Sequence, residues 1–116
     1  MAKWIETYNH NGKIGVLVEF SCVTDFSIKT DEFKDFANGI AMQIAASSPD
    51  DIESPHTADV YLIESGEKFS RSIESENYLM NQVYVKASDK LVKDALLELN
   101  EKLSENVRII RFERYE

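Results

Sequence analysis

Residues 13–33 read KIGVLVEFSCVTDFSIKTDEF, and the hydrophobic period changes within them. In the first half Ile14, Val16, Val18 and Phe20 alternate with Gly15, Leu17, Glu19 and Ser21. One face of an extended strand is therefore firmly apolar and the other mixed. From Thr30 onward Phe33, Phe36, Ala37, Ile40, Ile44 and Ala45 recur at steps of three and four, one stripe of an amphipathic helix. Thr30 is placed to cap that helix, and Asp31 and Glu32 suit the positive end of its dipole. Between strand and helix sits Thr24-Asp25-Phe26. An aromatic directly after Thr-Asp, where a buried strand gives out, poses a choice. Either Phe26 turns back under the following helix with Thr24 as a turn cap, or it points outward to something that receives it.

Upstream, WIETY (residues 4–8) is a second β-rich run, separated from the first by NHNGK, a turn with Asn and Gly, so the pair reads as a hairpin. The helix after Thr30 should stop near SSPDD, because a residue before proline avoids helical angles. Gly39 weakens it by about 1 kcal/mol relative to alanine. Residues 50–76 carry no clear period: DDIESP is polar loop, DVYLIES suits a short strand or a helical turn, and EKFSRSIESENYLMNQV has partial helical spacing. Beyond VKASDK, residues Val92, Ala95, Leu96, Leu99 and Leu103 form a second helical stripe, with Ser88 as the expected cap and Asp89 in the first turn. The closing NVRIIRFERYE reads as a strand whose apolar residues change parity between Ile109 and Ile110, as a bulge or burial on both faces would require.

Strands are thus expected at residues 4–8, 13–21 and 106–114, and helices at 31–46 and 89–103. Two helical stripes need a sheet face to bury against. The expected class is a two-layer α+β fold: a three-stranded antiparallel sheet with helices on one face, in the order strand, strand, helices, strand, as one domain over residues 1–116. Val16, Val18, Phe20, Phe36, Ile40, Ile44, Ala95, Leu99 and Ile109 are expected to be buried.

The 116 residues suit one domain, and at 43% hydrophobic they can bury a core. The net charge of −8 repels phosphate backbones, so no direct nucleic-acid partner is expected. Arg108, Arg111 and Arg114 are a local exception; at that spacing in a strand they pair with nearby carboxylates more readily than they bind RNA. There is no run of about 18 apolar residues and no signal-like start, so no membrane association is expected. One cysteine, Cys22, excludes an internal disulfide and fits a reducing cytosol, hence a cytoplasmic location. His10 and His56 are far apart and form no ligand cluster with it, so neither metal nor cofactor is expected. Cys22 and His10 could serve as nucleophile and base only with an orienting group, and none lies near them. Asp50-Asp51 and Asp31-Glu32 read as loop and cap residues. With no G-x-S-x-G and no glycine-rich phosphate loop, the chain is not expected to be an enzyme.

The stretch from Gly12 to Pro49 closely resembles the core of bacterial-type translation elongation factor Ts, the nucleotide exchange factor of elongation factor Tu. The matching pieces are KIGVLVE, then C-x-TDF, TDEF and IAMQIAAS-x-P. LMNQVYVK, a helix and ENVRIIRFERYE form a second matching block, and WIETYNHNGK resembles the first strand. The resemblance implies the same antiparallel topology. It also implies a partner-binding role for Thr24, Asp25 and Phe26. In the family this Asp and Phe sit on an exposed turn, and the Phe wedges between two helices of the partner's GTPase domain. The disturbance reaches the Mg²⁺ and phosphate site and loosens bound nucleotide. On this reading Phe26 points outward and the chain promotes GDP release from elongation factor Tu.

Departures temper the expectation. The sequence starts directly at the first core strand, without the family's small helical docking domain, and has one copy of a core that longer members carry twice. The helical segment usual between the two blocks is shortened and replaced. Val23 stands where a polar or acidic residue is common, and Val83 and Ala87 replace a usual proline and aspartate. Binding of elongation factor Tu is therefore supported more firmly than efficient exchange. The alternative is a module that binds the GTPase without promoting turnover, as a stabiliser, decoy or assembly part. A metabolic or RNA-binding protein sharing only the fold is a third reading. Short members of the family pair through their cores, and residues 4–10 read as a sheet edge with Trp4 and Tyr8, so a homodimer is also an expectation.

Overall fold

A computed structural model describes residues 2–52 and 78–116. In chain order its elements are β1 (Ala2–His10), β2 (Ile14–Cys22), α1 (Asp25–Ile28), α2 (Asp31–Ser47), a 3₁₀ turn (Leu79–Asn81), β3 (Val83–Tyr84), β4 (Ala87–Leu91), α3 (Val92–Leu103) and β5 (Arg108–Tyr115). The main sheet is antiparallel, with strand order β1-β2-β5. β2 is therefore central, with β1 and β5 flanking it among the described strands. The class is α+β; the main sheet keeps the order strand, strand, helices, strand, and a second two-stranded sheet, β3-β4, lies within the helical part.

The hairpin turns on Asn11 and Gly12, both at positive φ (56° and 73°), as a type I′ turn requires. The Asn9 side-chain oxygen accepts from the Gly12 N–H at 2.7 Å. Along β2 the alternation is realised: Val16, Val18, Phe20 and Cys22 are buried, while Leu17 lies on the outer face. Helix α2 lies across β1 and β2 and buries Phe33, Phe36, Ala37, Ile40 and Ile44 against them. Phe20 meets Phe33 and Phe36 edge-on, with ring centroids 5.5 and 6.2 Å apart, the arrangement favoured by the aromatic quadrupole. Thr30 caps the helix, its hydroxyl accepting from the Phe33 N–H at 3.1 Å. The helix ends through Ser48 in the left-handed conformation, one residue before Pro49.

The parity change in the last strand is a bulge. The register runs Glu19↔Arg111 and then Phe20↔Ile109, which leaves Ile110 as the extra residue. The slip turns both Ile109 and Phe112 toward the helices. Ile109 is nonetheless only half-buried, contrary to expectation. It sits on the flanking strand β5 and packs against the core from there, while Val107, just before that strand, is buried at 1% exposure.

The second helix begins three residues later than the sequence suggests. Residues 87–91 form β4, paired with β3 through Val83↔Leu91 and Tyr84↔Ala87, so their backbone groups serve a ladder. Ser88 and Asp89 lie in that strand and are not the cap. Asp94 does part of the capping, its carboxylate accepting from the Leu91 N–H at 3.1 Å. This small second sheet packs on α2. Its Tyr84 ring lies 6.0 Å from Phe36 and lies against Gly39, where a Cβ would sit 2.1 Å from the phenolic oxygen. Glycine is thus needed for close approach at Gly39. The buried Gln43 amide donates to the Val83 carbonyl (3.0 Å) and accepts from the Val85 N–H (2.7 Å), fixing the hairpin to the helix. The readings of residues 53–77, His56 among them, fall outside the described residues; at their margins Asp51 bridges to Tyr78.

Candidate functional site

Strand β2 ends at Cys22, and the chain then makes a single helical turn, α1, before entering α2. That turn sorts its side chains. Ser27 is buried at 3% exposure and Ile28 is half-buried, whereas Thr24, Asp25 and Phe26 face outward. Phe26 is 74% exposed, and Val23, three residues before it, is 56% exposed. Phe20 and Phe33, by contrast, are packed against each other in the core.

With so little apolar burial, hydrogen bonds hold the turn at both ends. At the exit the Lys29 N–H donates to the Phe26 carbonyl and the Thr30 N–H to the Ser27 carbonyl, each at 3.1 Å. The Thr30 hydroxyl adds a 2.7 Å bond to the Ser27 carbonyl while it caps α2. At the entrance the Glu105 carboxylate gathers four donors. The Val23 N–H (2.9 Å) reaches Oε1; the Thr24 N–H (3.2 Å), the Thr24 hydroxyl (3.0 Å) and the Ser27 hydroxyl (2.5 Å) reach Oε2. The Asn106 N–H adds a fifth bond at 2.8 Å. Partial burial works to raise the pKa of this carboxyl, but the bonds from Ser27, Asn106, Val23 and Thr24 outweigh it and hold the value down at about 2.

Glu105 is itself fixed by the loop after α3. Ser104 turns the chain with φ 52°, and the Glu105 N–H donates to the Asn100 carbonyl at 3.0 Å. The Asn100 amide accepts from the Val107 N–H (2.6 Å) and donates to the Val107 carbonyl (3.3 Å). Sequence reasoning singled out Thr24, Asp25 and Phe26, which the structure places together on this turn, and did not single out Glu105 or Ser27. A signal was present: a carboxylate just past a helix C-terminus is disfavoured by the helix dipole and needs donors from elsewhere.

The other candidates lie elsewhere and take part in structural contacts. Cys22 is buried, and burial, helped by the Glu105 charge, pushes its thiol up to about 11. His10 pairs with Ile14 at the far end of the hairpin from Cys22, about 27 Å away along a nine-residue strand, so the two cannot act together. Arg111 pairs with Glu19 at 2.9 Å and Arg114 with Glu116 at 3.0 Å. Arg114 also donates to the Ala45 carbonyl at the end of α2. No described helix is long and apolar enough to cross a membrane.

Residues 1–75 match the family model described as Elongation factor TS. The chain belongs to the elongation factor Ts family. It is 38% identical to elongation factor Ts of Carboxydothermus hydrogenoformans over 138 residues, covering 97% of this chain and 62% of that relative. With the same protein of Thermoanaerobacter sp. the identity is 38% over 134 residues, covering 97% and 66%. With that of Thermotoga petrophila it is 37% over 132 residues, again 97% and 66%. The chain thus spans somewhat less than two thirds of the length of these elongation factor Ts relatives.

Proposed function

We propose that this chain binds the GTPase elongation factor Tu through Thr24, Asp25 and Phe26 and promotes release of its bound GDP. The observation that carries the reading is Phe26: a large apolar ring, 74% exposed, on a turn whose backbone is held at both ends, in a chain of the elongation factor Ts family. An exposed aromatic that folding does not require fits a residue kept for a partner. Inserted into a pocket it would bury on the order of 150 Å², and such anchors contribute about 2–4 kcal/mol. Asp25 beside it can meet a donor on the partner.

The chemistry of release follows from linkage. A GTPase holds nucleotide through a phosphate cradle and a Mg²⁺ ion that demands tight geometry. A partner that binds best when that geometry is disturbed weakens nucleotide binding by the same factor by which nucleotide weakens its own. No bond is made or broken by this chain, so it acts as a non-enzymatic exchange factor.

The test follows labelled GDP leaving elongation factor Tu, with and without this protein, alongside a direct affinity measurement. Accelerated release is expected. Phe26→Ala should weaken association about thirtyfold, equivalent to about 2 kcal/mol, with the fold intact. Association without accelerated release would leave a non-exchanging binding module. Unchanged affinity in a folded Phe26→Ala variant would remove Phe26 from the interface.

A further inference from the structure

We infer that Glu105 is a positioning residue, a latch that reaches from the α3–β5 loop to the β2–α1 turn and holds Phe26 in a single presented orientation. The inference rests on the binding reading above. Four donors from Val23, Thr24 and Ser27 converge on its two oxygens across 78 to 82 residues of sequence. Val23 and Thr24 precede Phe26 by three and two residues, and Ser27 follows it directly. The Thr30 hydroxyl ties down the Ser27 carbonyl from the other side, so the backbone of residues 23–27 is restrained throughout while the Phe26 ring touches little of its own molecule.

The arrangement is better suited to orientation than to stability. Three of the four bonds from the turn are solvent-exposed, so water can replace them at small cost if the carboxylate is lost. What water cannot replace is the fixed geometry. An anchor side chain on a loose turn must be ordered at the moment of binding, and the same side chain on a latched turn has been ordered in advance. Glutamate is also suited in kind. Its two oxygens only accept, and every group facing them at the turn donates.

The decisive variant is Glu105→Gln, which keeps the size but turns one acceptor into a donor facing N–H and O–H groups. Amide hydrogen exchange at Val23 and Thr24 should accelerate at least tenfold, while the melting transition at neutral pH falls far less than it does on truncating a core ring such as Phe20. Affinity for elongation factor Tu should fall about tenfold, through a slower association rate as well as faster dissociation. A double-mutant cycle separates positioning from general damage: in a Phe26→Ala background the added Glu105→Gln change should cost almost no further affinity. A merely structural role would cost the same in both backgrounds, and that result would overturn the inference. Unchanged exchange at Val23 and Thr24 would overturn it independently of any partner. If exchange accelerates but even the unaltered protein fails to bind elongation factor Tu, the latch stands and the binding reading falls.

Discussion

Four phenylalanines lie between positions 20 and 36, and they divide into two kinds. Phe20, Phe33 and Phe36 interlock in the core at 5% exposure or less. Phe26, only seven residues before Phe33, stands 74% exposed. The sequence alphabet is the same; the means of restraint are not. The core rings are held by area removed from water, which is non-directional and tolerant of small shifts. The turn that carries Phe26 is held by directional hydrogen bonds to Glu105 and Thr30. One region supplies stability and the other supplies geometry.

The largest expected effect tests the first region. Phe20→Ala removes a fully buried ring from the middle of the sheet and should cost about 3–5 kcal/mol in chemical denaturation. A loss under about 1 kcal/mol would mean that the aromatic cluster is not what holds α2 to the sheet. Next comes Gly39→Ala. Helix propensity alone favours alanine by about 1 kcal/mol. The added carbon would lie 2.1 Å from the Tyr84 hydroxyl, so overpacking should prevail with a net loss of about 1–3 kcal/mol. Adding Tyr84→Phe should recover part of it, since that hydroxyl is buried and has no partner among the described residues.

A smaller effect belongs to the second region and appears in acid. The folded Glu105 carboxyl titrates at about 2, below its ordinary 4.5, so its contribution is complete above pH 4.5 and is lost as the pH falls toward 2. The stability gap between the unaltered protein and Glu105→Gln should therefore close across that window; a gap constant from pH 6 to pH 2 would show that the carboxylate is not held by its donors. The smallest effect is expected at Phe26→Ala, within about 0.5 kcal/mol of the unaltered stability. A loss of several kcal/mol there would erase the distinction between the two kinds of ring.

Most of the main sheet was legible because its residues obey one period at a time. Val16, Val18 and Phe20 alternate, and Phe33, Phe36, Ile40 and Ile44 step by three and four. Even the slip at Ile110 announced itself as a break in parity. The β3–β4 hairpin was not legible. VYVKASDKL is short, and its pairing depends on Tyr84 finding Gly39 and on Gln43 meeting the backbone of Val83 and Val85, contacts that bridge about forty residues. Glu105 was hidden for the same reason. A local pattern marks residues that share a period, whereas a carboxylate serving a turn some eighty residues away leaves no periodic trace.

The position of β5 beside β2 also fixes an order in time. The β1–β2 hairpin can close as soon as residues 2–22 leave the ribosome, because its partners are adjacent in sequence. The other side of β2, the most apolar strand of the chain, must wait for residues 108–115. Until they arrive its unpaired edge is a template for any passing strand, and non-local closure of this kind is the slow part of folding a sheet. Glu105 arrives in that same late segment. A nascent chain stalled before residue 105 would therefore carry the Phe26 ring without the carboxylate that aims it.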